Sequence, residues 1–301
     1  MRRIAVAGYL GNQLFQWAFG HTFLINGSVP QFVMQEMNLP TNGWKCELNF
    51  LTSSCKHFQI KHPMRRDALR DKVIGKSEQL GRTFSEGDKL IRFSDRILKV
   101  SRESQVQDLI KKKSQHHIYY GYFQNTQYFR EIIPVLTKEL NLAVTNRITE
   151  LKDDNAELNR VVNIMNINAE FMLVHVRRGD FLQPANRSFG LLGSKYYTAI
   201  ETKLPKIIVT DDVVGAKDVI EKLKPICVVN PQFIDAITSL YFFTKATIVV
   251  ASNSTYSYWG SLLALGMGKR VIIPSSFRPH EDDFERFYID GMEVAEAYYI
   301  R

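Results

Sequence analysis

Five short apolar runs, each separated from the next by a helical pattern, constrain the fold of this chain most. They are Phe171–Arg177, Ile207–Thr210, Ile226–Val229, Thr247–Ala251 and Val271–Pro274. All are rich in Val and Ile, as strands buried on both faces are. Between them, Lys195–Lys203, Val213–Leu223, Phe233–Thr244 and Tyr256–Leu265 read as helices. In the third, Ile234, Ile237, Leu240 and Tyr241 follow helical spacing. Strands alternating with helices predict a parallel, doubly wound α/β sheet.

The first half is less regular. Arg3–Ala7 reads as a strand, followed by a turn and a helix over Leu14–Leu24. His116–Phe123 reads as a further strand before a helix over Tyr128–Leu142. A chain of 301 residues, at about 150 per domain, predicts two domains. The Asn-rich, charged stretch Asn141–Asn168 places their junction, giving 1–150 and 151–301.

Cys46, Cys55 and Cys227 are too few for a disulfide framework and lack metal-ligand spacing, which fits a reducing compartment. Charge and a short strand begin at once, so no signal peptide is read, and no run approaches the ~18 apolar residues of a spanning helix. These features predict a cytoplasmic protein. Residues 56–113 hold 16 Lys and Arg against 8 Asp and Glu, which accounts for the whole net charge of +8. That segment is either a solvated basic face or a means of peripheral attraction to an anionic inner membrane face. No nucleic-acid motif accompanies it, and nucleic acid is not expected as a partner.

Three strands of the second half end in polar clusters. The first carries His175, Arg177, Arg178 and Asp180, the second Asp211 and Asp212, the third Ser252, Asn253, Ser254 and Thr255. Parallel sheets bind ligands beyond the carboxyl ends of their strands. Arginine grips phosphate through two parallel hydrogen bonds, a helix N-terminus suits phosphate, and a carboxylate suits a base or ribose. Strand alternation predicts His175 and Arg177 on one face and Arg178 on the other, supporting the loop through Asp180. Each cluster also has a plain structural reading. Ser252–Thr255 and Asp211-Asp212 could cap helices, His175 could be a core histidine, and the arginines could be surface or ion-pair residues. Gly8–Gln13 joins the first strand to its helix without three spaced glycines, which disfavours a dinucleotide-binding dehydrogenase. Within it, Asn12 and Gln13 are uncharged donors beside Gly11. His280–Asp283 has no metal-loop spacing, and Arg178-Gly179-Asp180 spells an adhesion tripeptide only by coincidence after a buried strand. No Asp-x-Asp occurs anywhere, so a departing diphosphate would have to be neutralised by arginine.

Gly8–Phe15 (GYLGNQLF), Val174–Phe181 (VHVRRGDF) and Ala251–Gly260 (ASNSTYSYWG) together resemble motifs of the α-1,2-fucosyltransferase family, glycosyltransferase family 11. Gly121–Phe129 and Thr210-Asp211-Asp212 resemble two further segments of it, in the family's order. Tyr9 stands where a glycine is more usual. The resemblance implies a GT-B fold, two Rossmann-like domains facing each other across a cleft, with the acceptor on the N-terminal side and GDP-β-L-fucose in the C-terminal domain. It implies an inverting, metal-independent transfer giving an α-1,2-linked fucose on a galactoside. No cofactor is implied, since GDP-fucose enters as substrate; the acceptor would be a galactose-terminated oligosaccharide or a lipid-linked glycan. Carried onto this sequence, Arg177 and His175 would be catalytic. Gly11, Asn12, Gln13, Arg178, Asp180, Asp211, Asp212, Ser252, Asn253, Ser254 and Thr255 would contact the donor. Asp180 and His21 qualify as a base by residue type alone. Trp44, Tyr120 and Tyr122 are candidate sugar-stacking rings.

Overall fold

The computed structural model describes residues 2–25, 27, 31–36, 45–53, 55–62, 92–93, 97–99, 118–281 and 284–300. They divide into two units, Met1–Ile132 and Ile133–Arg301. Most of the basic 56–113 segment, Trp44, the side chain of Tyr120, His116, His117, Asp282 and Asp283 lie outside the described residues.

The first unit is built on β1 (Arg2–Ala5), α1 (Leu10–Ile25), β2 (Phe32–Gln35), β3 (Phe58–Lys61), β4 (Arg92–Phe93), β5 (Ile97–Lys99) and β6 (Ile118–Tyr120). Its sheet runs β3-β2-β1-β6-β5-β4. All neighbours are parallel except β4 and β5. Helix α1 starts earlier than its apolar spacing predicts. Gly8, at φ +74°, turns the chain, and the N–H groups of Asn12 and Gln13 both donate to Tyr9 O. The helix is buried almost all round, so it is a core helix without a wide polar face. Gly20 lets it approach β2: a Cβ there would lie 2.3 Å from the Phe32 ring.

The second unit begins with α2 (Ile133–Leu151) and α3 (Ala156–Ile167) and continues through β7 (Met172–Val176), β8 (Leu191–Leu192) and α4 (Ser194–Thr198). Then come β9 (Lys206–Thr210), α5 (Lys217–Leu223), β10 (Cys227–Val229), α6 (Ala236–Lys245), β11 (Ile248–Val250) and α7 (Thr255–Gly266). Last are β12 (Arg270–Pro274), β13 (Met292–Ala295) and β14 (Tyr299–Ile300). The order β10-β9-β7-β11-β12-β13 is parallel throughout, as the strand–helix alternation predicts. Three strands escaped the sequence reading here: β13 at the sheet edge, and β8 and β14, which pair antiparallel with each other. The chain runs outward from β7 through β9 to β10, then crosses back to β11 on the other side of β7. Such a reversal opens a crevice beyond the strands' carboxyl ends. Met172, Val174, Val176, Ile208, Val250 and Ile272 form the core beneath it.

The division between units falls at Ile132, earlier than the expected 150/151. Pro134 fits the first turn of α2, where its missing N–H costs nothing. From there Arg147 reaches Asp235, the N-cap of α6, at 2.5 Å and the Thr238 hydroxyl at 3.3 Å. The Asn-rich stretch expected as a junction is therefore helical and part of the second unit. Asn155 caps α3 by accepting from the Leu158 N–H at 2.9 Å, and its amide donates to Phe233 O. Asparagine at a helix start is a cap as readily as a loop residue.

Candidate functional site

At the crevice of the second sheet, β7 and β11 bring their polar ends together. His175, inside β7, sits with Nδ1 2.9 Å from the Ser252 hydroxyl, against the rings of Tyr256 and Phe243. Ser252 in turn donates its N–H to the Ser257 hydroxyl at 2.8 Å. Burial, with the charge of Arg177 nearby, lowers the His175 pKa to about 3. The ring is neutral at physiological pH and holds the two strand ends together. Its side chain is 3% exposed, so the plain reading as a satisfied core histidine accounts for it.

Arg177 lies one residue past the end of β7, which stops at Val176 rather than running through the arginine. Its Nη1 donates to Asp211 Oδ2 at 2.6 Å and its Nη2 to Asp180 Oδ1. The guanidinium lies 5.0 Å above the Phe181 ring, which stacks on Phe189. Two carboxylates and an aromatic face thus fix the plane of one cation. A guanidinium carries five N–H groups, so three remain for a ligand. The side chain is 21% exposed, enough to meet one.

The clamp has a condition the sequence reading missed. Gly179, at φ +29°, packs so closely that a Cβ would lie 2.2 Å from Asp211 Oδ2. Asp211 also accepts the Arg178 N–H at 2.8 Å, so its carboxylate cannot move away without losing both partners. Gly179→Ala is expected to displace Asp211 and unfix Arg177, lowering activity at least tenfold. Turnover within twofold of wild type would show that the contact yields cheaply.

Arg178 corrects an expectation in detail. It does lie apart from Arg177, but it does not support the loop through Asp180, which is taken by Arg177. Nor does it face a ligand, being 1% exposed. Its Nε donates to Gly215 O and its Nη1 to Arg177 O, both at 3.0 Å, and its Nη2 reaches Asp218 at 3.3 Å.

Most of the remaining candidates are occupied by the fold. Asp212 accepts from the Gly215 N–H at 2.9 Å and shapes the turn before α5. All three Asn253 contacts run from its amide to backbone carbonyls, of Phe189, Gly190 and Phe277, which leaves no amide hydrogen for a donor. Ser254 caps α7, and Thr255 begins it. In the first unit, Gly11, Asn12 and Gln13 belong to the first turn of α1 rather than to a loop. Gln13 is buried. It donates to Gly8 O and Lys45 O and accepts from the Glu47 N–H, so it is a structural bracket and not a ligand donor. Asn12 accepts from Gln124 at 2.8 Å. His21, a candidate base by type, is buried with its pKa lowered to about 3, chiefly by burial and secondarily by His57. Tyr122, one of the candidate sugar-stacking rings, is exposed.

No helix among the described residues is long and apolar enough to cross a membrane. No curated protein sequence matches the chain. Solved structures similar to it include a glycosyl transferase family 9 protein from Veillonella parvula, with 9% identity, 98% of this chain and 86% of that one covered, and a TM-score of 0.47. A substituted FUT1 of Arabidopsis thaliana in complex with GDP gives 11% identity, 97% and 74% coverage and a TM-score of 0.46. Fucosyltransferase NodZ from Bradyrhizobium gives 12% identity, 87% and 93% coverage and a TM-score of 0.42. The family profile described as "Glycosyl transferase family 11" matches residues 99–289, more than half of the sequence and the whole of the Arg177 crevice. The chain belongs to glycosyl transferase family 11, the fucosyltransferase family.

Proposed function

We propose that the protein transfers L-fucose from GDP-β-L-fucose to the 2-hydroxyl of a terminal galactoside, with inversion to an α-1,2 linkage and without a metal. The observation that carries this reading is Arg177, held at the switch point of a parallel sheet by Asp180 and Asp211 with three N–H groups uncommitted. As the C1–O bond breaks, negative charge grows on the β-phosphate. A fixed cation binds that growing charge more strongly than the ground state and so lowers the barrier. The two carboxylates oppose a diphosphate as much as they position the arginine. The aromatic face of Phe181 helps keep the guanidinium's remaining N–H groups oriented against that opposing charge.

The α-1,2 linkage and the galactoside rest on the sequence resemblance, and metal independence on the absence of Asp-x-Asp. Incubation with GDP-fucose and a panel of β-galactosides, in excess chelator, is expected to release GDP and give a 2-linked fucoside by linkage analysis. Transfer at another position would overturn the linkage. Activity only with added Mn²⁺ or Mg²⁺ would overturn the arginine-for-metal argument. GDP binding without turnover on any acceptor would make the protein a binding module.

A further inference from the structure

In the second unit, the clamp on Arg177 continues beyond its two carboxylates. The Arg177 guanidinium lies 5.0 Å over the Phe181 ring. Phe189 stacks on that ring, with centroids 5.0 Å apart and planes 17° from parallel. The Arg278 guanidinium lies 5.5 Å over Phe189. A ring has two faces, so the four side chains form one stack: cation, ring, ring, cation. The outer faces of a stacked ring pair are electron-rich, and each here holds a guanidinium.

One amide assembles the stack. Asn253, past the end of β11, donates to Phe189 O at 2.9 Å and to Phe277 O at 3.3 Å. It thereby ties the second ring to the residue before Arg278. Gly190, at φ +67°, lets the two segments touch: a Cβ there would lie 2.4 Å from the Pro279 ring. Phe277 is buried and stacks on Phe287 at 4.0 Å, which anchors the far end. Burial in the core does not account for the stack. Its rings sit on two short 3-10 turns, Gly179–Leu182 and Pro184–Phe189, in which no residue is buried. Arg278 and its ion-pair partner Glu281 are 38% and 50% exposed, and a surface ion pair adds little to stability. What the stack does fix is the plane of Arg177, whose remaining N–H groups have to meet a phosphate in parallel.

We propose that Phe189 and Arg278 are positioning residues for Arg177; this deepens the fucosyl-transfer reading and rests on it. Asp180 and Asp211 hold the edge of the guanidinium, and Phe181 covers one face. Phe181 alone could tilt with it. Phe189 and Arg278 back that ring, so the guanidinium keeps its plane while negative charge grows on the β-phosphate. Neither side chain touches substrate in this role.

The test measures kcat and KM with GDP-fucose and a β-galactoside for wild type, Phe189→Leu, Phe189→Tyr and Arg278→Gln. It then repeats Phe189→Leu and Arg278→Gln in an Arg177→Lys background. Phe189→Leu keeps apolar bulk and removes the aromatic face. It should lower kcat about tenfold, or ~1.4 kcal/mol, and leave the KM for the galactoside near wild type. Arg278→Gln should lower kcat about fivefold. Phe189→Tyr returns the ring and should recover kcat to within about threefold of wild type. An ammonium has no plane to orient, so with Arg177→Lys the same two changes should each lower kcat less than about twofold. A loss that only reflected damaged structure would be equal in both backgrounds. A Phe189→Leu or Arg278→Gln kcat within twofold of wild type overturns the assignment. So does a loss of undiminished size with Arg177→Lys, or a Phe189→Tyr loss as large as that of Phe189→Leu. If wild type transfers no fucose, the fucosyl-transfer reading fails and takes this one with it. An active wild type with any of the overturning results rejects this one alone.

Discussion

Replacing Arg177 by lysine is expected to cut fucosyl transfer by about 10²-fold and to leave thermal melting near that of wild type. A charge-assisted hydrogen bond contributes ~1.5–3 kcal/mol, and each ~1.4 kcal/mol is tenfold in rate. Lysine keeps the charge but presents a compact ammonium where Arg177 presents a planar fork. It cannot reach both Asp180 and Asp211 and still offer parallel N–H groups to a phosphate. Arg177→Ala should be at least as inactive, because it leaves two carboxylates facing the departing diphosphate with no cation between them. Both variants should fold. The side chain is partly exposed, and both carboxylates it would abandon reach solvent too. Steady-state kinetics beside a calorimetric melt separates the two effects. Transfer by Arg177→Lys within fivefold of wild type would remove the arginine from the proposed role.

The second unit was legible because each of its strands is short, apolar and bounded by helical spacing. Burial on both faces leaves that signature without any reference to distant residues. The ends of elements were less legible. Residues 213–216 carry helical spacing yet form a turn, because the Asp212 carboxylate takes the Gly215 N–H and the helix proper begins at Lys217. The site was legible as a set of residue types at strand ends, not as a division of labour. Strand alternation puts Arg177 and Arg178 on opposite faces, but it does not name their partners. Only the tertiary partners, Asp211 from the end of β9 and Gly215 beyond it, set one toward solvent and bury the other. Asn253 and Gln13 read as ligand donors for the same reason: an amide that brackets distant backbone carbonyls leaves no local trace. Phe189 and Arg278 stand far apart in the chain and carry no spacing signal. Their meeting depends on the Asn253 amide, which holds both segments.

Arg178→Ala should do the reverse of Arg177→Ala, lowering stability first and activity as a consequence. The guanidinium of Arg178 is among the largest fully buried side chains. It ties three separate points of the second unit: the Arg177 carbonyl at the end of β7, the Gly215 carbonyl before α5, and Asp218 in the first turn of that helix. Truncation leaves the two carbonyls without a donor and opens a void. A buried polar group left unsatisfied costs ~1–3 kcal/mol, and breaking a buried ion pair ~3–5 kcal/mol. Asp218 is half-exposed and can be rehydrated, so the pair itself contributes less than that upper figure. A loss of about 3–5 kcal/mol in all corresponds to a melting temperature roughly 6–20 °C lower for a domain of this size. Arg178→Lys keeps the charge but cannot meet three acceptors in three directions, and should fall between alanine and wild type. Donor turnover measured well below the melt should drop less in Arg178→Ala than in Arg177→Ala, because the Asp211 and Asp180 contacts to Arg177 survive. A melting temperature within 2 °C of wild type would mean that water replaces the guanidinium, and that the 215 turn is held without it.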